Sequence, residues 1–160
     1  MPVTGPVAQT RKRDKVLAVC SSGGHWVQLR RVIPAFAGAD IVYVTVLKSY
    51  RSQVPENKFY TVNDATRWNK LAWVTLTARL AWIMAKERPA VVISTGAAPG
   101  FFALMIGRWF GARTIWIDSI ANVEEVSMSG SRVGRYADLW LTQWPHLARS
   151  GGPHYAGSVL

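Results

Sequence analysis

Val16-Leu-Ala-Val-Cys20-Ser-Ser-Gly-Gly-His25-Trp-Val-Gln-Leu-Arg30-Arg-Val-Ile-Pro34 changes character twice along its length. The apolar run from Val16 to Cys20 gives way to the small residues at 21–24, and Trp26, Leu29, Arg30 and Ile33 then recur at helical spacing until Pro34. The stretch reads as a strand, a tight turn and a helix. Gly23 and Gly24 carry no Cβ, so a ligand can approach the backbone closely, and the N–H groups at a helix start favour an anion such as phosphate. His25 stands beside that turn, and histidine is the side chain that changes charge near neutral pH. The combination is a phosphate cradle next to a proton acceptor, although a lone histidine beside a glycine pair also serves as a structural cap.

Outward from this element the design repeats. Ala90-Val-Val-Ile-Ser94 reads as a strand, Thr95-Gly-Ala-Ala-Pro-Gly100 as a loop of small residues, and Phe101 to Phe110 as a helix apolar all round, closed by Gly111. Further strands are expected at Asp40–Val46, Phe59–Val62, Arg113–Ile117 and Asp138–Thr142, with another beginning at Tyr155; Lys48–Asn57 is polar loop. Asn63-Asp-Ala-Thr offers caps for a long helix from Trp68 to Glu87, which Pro89 follows. A short helix is expected near Arg132 to Tyr136. Alternating strands and helices define an α/β, Rossmann-like domain with a mainly parallel sheet and helices on both faces. Ligands of such sheets bind outside the carboxyl ends of the strands. Ser22, Gly23, Gly24, His25, Thr95, Gly96, Gly100, Asp118, Ser119, Asn122 and Gln143 all fall at that edge and are the candidate site residues. Asp118 has a plain alternative as the cap of its own loop.

With 160 residues the chain suits one domain, here 14–160, behind a disordered basic arm at 1–13. The formal net charge of +10 points to an anionic partner: nucleic acid, an anionic membrane or a phosphorylated small molecule. Cys20 is the single cysteine, which excludes an internal disulfide, fits a reducing compartment and reads as an inert core thiol. The apolar run behind Arg11–Lys15 is too short for a signal-peptide core, and no stretch is long enough to span a bilayer. In the long helix Trp73, Leu76, Leu80, Ile83 and Met84 form the expected core face. The opposite side holds Trp68, Leu71, Thr75, Arg79, Trp82 and Lys86, a mixture that suits a membrane interface or an apolar partner, unless the tryptophans pack under neighbouring loops.

Several chemistries are excluded. There is no G-x-G-x-x-G with an acidic residue after the second strand, so a nicotinamide enzyme does not fit, and no P-loop sequence is present. Without a G-x-S-x-G elbow, Ser21 or Ser22 with His25 and Asp118 does not make a hydrolase triad. His25, His146, His154 and Cys20 lack metal-ligand spacing, so no metal and no cofactor are expected.

Gly23-Gly24-His25, together with the segment from Lys86 to Gly96 and Pro99-Gly100, resembles the glycine-rich loops in the N-terminal half of GT-B glycosyltransferases acting on polyprenyl-linked sugars, such as the lipid II-forming N-acetylglucosaminyltransferase. The order Ser21–His25, Ser94–Gly100, Ile117-Asp-Ser119, Ala137-Asp138 and Gln143-Trp-Pro145 is more similar to stand-alone half-enzymes, the asparagine-linked glycosylation protein 14 family and the bacterial exopolysaccharide subunits like it. The resemblance covers roughly residues 15–160. It implies a glycosyltransferase subunit of hexosyltransferase type, inactive without a second subunit carrying the nucleotide-sugar site. Such a subunit binds a polyprenyl-pyrophosphate-linked acceptor and sits peripherally or monotopically at the cytoplasmic face of the membrane. The resemblance implies that the glycine loops hold the pyrophosphate, that His25 takes the acceptor proton, and that Asp118 orients His25 or the sugar, or is itself the base. Eukaryotic members carry an N-terminal membrane helix, whereas this chain begins with a basic arm. Attachment then falls to the face from Trp68 to Lys86 and to Phe101–Phe110. A non-catalytic membrane scaffold and a basic nucleic-acid-binding module are the competing readings; the latter accounts for the charge but not for the glycine loops, so no nucleic-acid partner is expected.

Overall fold

Seven strands, every neighbouring pair parallel, build one sheet in the order β3-β2-β1-β4-β5-β6-β7. They are β1 Lys15–Val19, β2 Asp40–Thr45, β3 Lys58–Thr61, β4 Val91–Ser94, β5 Arg113–Ile117, β6 Leu139–Thr142 and β7 His154–Tyr155. The helices are α1 Gly24–Val32, α2 Lys70–Glu87, α3 Ala97–Trp109 and α4 Met128–Val133. This is a computed structural model, and it describes residues 14–65 and 69–159. The basic arm at 1–13 and Trp68 lie outside the described residues.

Successive side chains of a strand point to opposite faces, and β1 shows what that does here. Val16, Ala18 and Cys20 pack with Trp26 and Leu29 of α1 on one face. Leu17 and Val19 pack on the other with Leu76, Leu80, Ile83 and Met84 of α2 and with Ala103, Leu104 and Ile106 of α3. Both faces of the sheet are therefore covered by helices, which is why the central strands are continuous apolar runs rather than alternating ones. Burial pushes the Cys20 thiol up to about 12, with a smaller opposing effect from Thr45, so the thiol stays protonated and unreactive.

Several details differ from the expectation. The short helix expected near Arg132 to Tyr136 runs from Met128 to Val133 and is followed by a 3-10 turn, Gly134–Tyr136, and the stretch 48–57, expected as loop, opens with a 3-10 helix, Lys48–Gln53. α3 begins at Ala97 rather than Phe101, because Pro99 is tolerated in a first helical turn and Gly100 lets that turn pack against the sheet. Pro34 does not end the first helix abruptly but lies within a 3-10 turn, Ile33–Phe36. Trp73 is 38% exposed and packs on Phe102 of α3, ring centroids 5.9 Å apart, instead of on the sheet. The last strand is only two residues long.

Glu87, at the end of α2, escaped the sequence reading. Its side chain is 1% exposed and takes Lys15 Nζ at 2.8 Å, Lys58 Nζ at 3.2 Å and the Tyr60 hydroxyl at 2.5 Å, tying α2 to β1 and β3. Burial alone would raise its pKa; the hydrogen bonds from Lys15, Tyr60 and Lys58 and the Lys15 charge outweigh that and hold it at about 2. A carboxylate depressed from 4.5 to about 2 contributes about 3 kcal/mol, complete above pH 4.5 and lost as pH falls toward 2. Chemical denaturation between neutral pH and pH 3 should therefore show a steep loss of stability in the wild type, and a much shallower one in Glu87→Gln.

Candidate functional site

α1 leaves β1 over one face of the sheet and returns to β2, whereas α3 leaves β4 over the other face and returns to β5. Since β1 and β4 are neighbours, the winding reverses between them. A doubly wound sheet opens its ligand crevice at that switch point, outside the carboxyl ends of the two strands. The two small-residue turns sit there, each feeding a helix N-terminus.

Two reciprocal hydrogen bonds join them. His25 Nδ1 lies 2.9 Å from the Thr95 carbonyl oxygen, and the Thr95 hydroxyl donates to the His25 carbonyl at 2.6 Å. A carbonyl oxygen only accepts, so Nδ1 carries the proton, and in the neutral ring Nε2 holds the free lone pair. Gly96 makes the arrangement possible: a Cβ there would fall on the His25 ring, and its φ of 139° is one that side-chain-bearing residues rarely adopt. The histidine is thus half-buried, fixed in one tautomer and set against a glycine.

The cradle has its own detail. Gly23, at φ 65°, is exposed, with open space where a Cβ would stand. Its carbonyl takes the N–H groups of Trp26 and Val27, and its own N–H donates to the Tyr50 hydroxyl at 2.9 Å. The N–H groups of Gly24 and His25 have no acceptor among the described residues. Two donors at a helix start beside an imidazole acceptor suit an anionic group next to a hydroxyl that is to lose its proton. Ser22 is half-buried beside them.

The other candidates are placed differently. Gly100 is buried, and the space for its Cβ is filled by Ser94 and the Trp116 ring, so it serves helix–strand packing rather than ligand approach. Asp118 is 1% exposed and does not orient His25, which is held by Thr95 instead. Its Oδ1 accepts from Trp116 Nε1 at 3.1 Å and from the Ser127 hydroxyl, its Oδ2 from Ser127 N at 2.8 Å and Asn122 Nδ2 at 3.2 Å. That carboxylate holds the 119–127 loop. Ser119 and Gln143 are also buried and turned inward. Gln28 of α1 donates to Ser119 Oγ at 3.1 Å and accepts from Ile120 N at 3.2 Å and from Gln143 Nε2 at 2.6 Å, while Gln143 also reaches the Asp118 carbonyl. Gln28, Ser127 and Tyr50 were missed in the sequence. Gln28 had no signal in the sequence, because helical spacing sets it nearly opposite Trp26; its burial comes from the 119–120 turn and Gln143 arriving over it.

The outer side of α2 carries Leu71 at 72% exposure and Trp82 at 46%. Trp82 lies between Arg79 and Lys86, each cation 4.7 Å from its ring, with Tyr60 edge-on at 6.0 Å. Trp82 is therefore not packed beneath a loop. Among the described residues no helix is long and apolar enough to cross a membrane, and no three of His, Cys, Asp and Glu group as metal ligands.

A parallel sheet wound in both directions from a β1/β4 crevice, with glycine turns at both helix starts, is a Rossmann-like α/β domain. Among solved structures, MurG of Acinetobacter baumannii is similar to it over 91% of this chain and 46% of its own, with a TM-score of 0.73 and 14% identity. UDP-N-acetylglucosamine 2-epimerase of Rickettsia bellii is similar over 84% of this chain and 40% of its own (TM-score 0.65, 12% identity). The UDP co-structure of MnaA from S. aureus is similar over 81% and 38% (TM-score 0.60, 14% identity). The chain spans less than half the length of these proteins, and at such identities the likeness is one of fold. No protein-family model and no curated protein sequence matches the chain.

Proposed function

We propose that this chain is the acceptor-binding, membrane-associating subunit of a two-subunit inverting glycosyltransferase. In this reading a partner subunit holds the nucleotide-sugar, and the acceptor is a saccharide on polyprenyl pyrophosphate. The observation that carries the proposal is the His25–Thr95 pair at the switch point, which leaves Nε2 as a fixed proton acceptor beside two backbone donors with no acceptor among the described residues. The pyrophosphate is received by Gly24 and His25 N–H with the neighbouring start of α3. His25 Nε2 takes the proton of the attacking acceptor hydroxyl as its oxygen bonds to the anomeric carbon, and the nucleoside diphosphate leaves from the opposite side. Asp118 acts indirectly, by holding the 119–127 loop. The membrane contact is assigned to Leu71, Arg79, Trp82 and Lys86, where cations flank an exposed indole in the manner of an interfacial helix at the cytoplasmic leaflet.

The test is transfer of radiolabelled sugar from a panel of nucleotide-sugars to a polyprenyl-pyrophosphate-linked saccharide, by this chain alone and with the product of a neighbouring gene of similar size. Transfer only with both chains supports the proposal. Transfer by this chain alone removes the division of labour, and transfer that survives every change in the glycine turns favours a scaffold. For the membrane face, co-sedimentation with phosphatidylglycerol-containing vesicles should fall at least about fivefold in Trp82→Ala/Arg79→Ala, in line with about 1 kcal/mol per surface cation plus the lost indole. Unchanged sedimentation would move the membrane contact elsewhere.

A further inference from the structure

Tyr50 stands in the 3-10 segment Lys48–Gln53 after β2, a stretch with no assigned role. Its ring stacks on Trp26, centroids 4.7 Å apart and planes within 9°. Trp26 is itself 2% exposed, with its Nε1 on Gln53 Oε1 at 2.9 Å and its ring edge-on to Tyr43 and Phe59. The Tyr50 N–H closes the turn onto the Leu47 carbonyl. The phenol is therefore fixed in place before any ligand arrives. A phenol hydroxyl has one proton to give and two lone pairs. One lone pair takes the Gly23 N–H; the proton has no acceptor among the described residues, and it sits beside a glycine with open space over its Cα.

We propose that Tyr50 is a ligand-binding residue of the crevice, its hydroxyl donating to a phosphate oxygen of the acceptor that the Gly24 and His25 N–H groups also receive. This rests on the function proposed above. The Gly23 N–H, by bonding to the phenol oxygen, polarises the O–H and strengthens it as a donor, and a charged acceptor makes the bond stronger still. The segment supplies the phosphate with a rigid neutral donor on the β2 side of the turn, where α3 supplies the backbone on the β4 side. A brace that merely steadies Gly23 would use the phenol only as an acceptor, and the two roles respond oppositely to the acidity of the hydroxyl.

Isothermal titration with inorganic pyrophosphate, repeated with farnesyl pyrophosphate, separates them. Tyr50→Phe keeps the stack on Trp26, so the thermal midpoint should hold while pyrophosphate affinity falls about tenfold or more. Site-specific 3-fluorotyrosine at position 50, a stronger donor and weaker acceptor, should bind pyrophosphate more tightly when measured below neutral pH. An equal Tyr50→Phe effect for both ligands places the contact on the phosphates, whichever molecule brings them. Unchanged affinity in Tyr50→Phe, or weaker binding with fluorotyrosine, overturns the donor role and leaves the proposed function standing. If the wild type binds neither ligand, the anion site itself fails, and the assignment of Tyr50 with it.

Discussion

Under the proposed function, replacing His25 by glutamine should lower kcat of the two-chain transferase by about a hundredfold to ten-thousandfold, the range spanned by a positioned general base. The thermal midpoint should barely change, because the glutamine amide can still donate to the Thr95 carbonyl that Nδ1 now occupies. What it lacks is the lone pair at Nε2. His25→Ala should lose as much activity and also some stability, since it leaves the buried Thr95 carbonyl without its donor. Gly96→Ala is the independent check: it touches no reacting atom, yet its Cβ would fall on the imidazole, so activity should drop with His25 still present. The three variants separate chemistry from fold. If His25→Gln transfers at the wild-type rate, the base lies elsewhere.

The reasons some of this was legible in sequence and some was not are physical. β1 and β4 declare themselves because strands buried on both faces must be apolar throughout, and the glycine turns because only residues without Cβ allow a ring or a ligand so near the backbone. Placing His25 beside the turn needed nothing beyond chain order. Its partner Thr95 is 70 residues away, and both turns became readable as one site only because parallel sheets put every such turn on the same edge. Gly100, Ser119 and Gln143 share that edge and resemble site residues in sequence, but what a polar group bonds to is fixed by tertiary register. Gln143 finds Gln28 across 115 residues and Ser119 finds it across 91. Burial decides between inward and outward use, and a loop sequence does not encode burial. The same limit applies to Glu87: a charged residue at the end of an amphipathic helix ordinarily faces water, and only the arrival of Lys15, Lys58 and Tyr60 from two strands makes its burial tolerable. The outer stripe of α2 was readable for the opposite reason, since helical spacing alone puts Arg79, Trp82 and Lys86 together.

Asp118 is where a catalytic and a structural role make opposed predictions. A base would be tolerant of Asp118→Asn in stability and intolerant in turnover. The carboxylate's bonds say the reverse. Of its four donors, the Ser127 hydroxyl can turn to accept and the Asn122 amide can flip, but Trp116 Nε1 and Ser127 N can only donate, and they serve different oxygens. Whichever oxygen becomes an amide nitrogen, one fixed donor is left facing another. Asp118→Asn should cost about 1–3 kcal/mol, the penalty for one unpaired buried donor. Asp118→Ala strands both and should cost about 3–5 kcal/mol, in the range for breaking a buried charged network. Gly130 lies against the carboxylate with no room for a Cβ, so water has little space to replace the lost oxygens. Amide exchange across residues 119–127 should accelerate in both variants, because that loop is what the carboxylate holds. A stable, fully folded Asp118→Asn protein with transfer abolished would return Asp118 to the chemistry and overturn the proposal that His25 is the base.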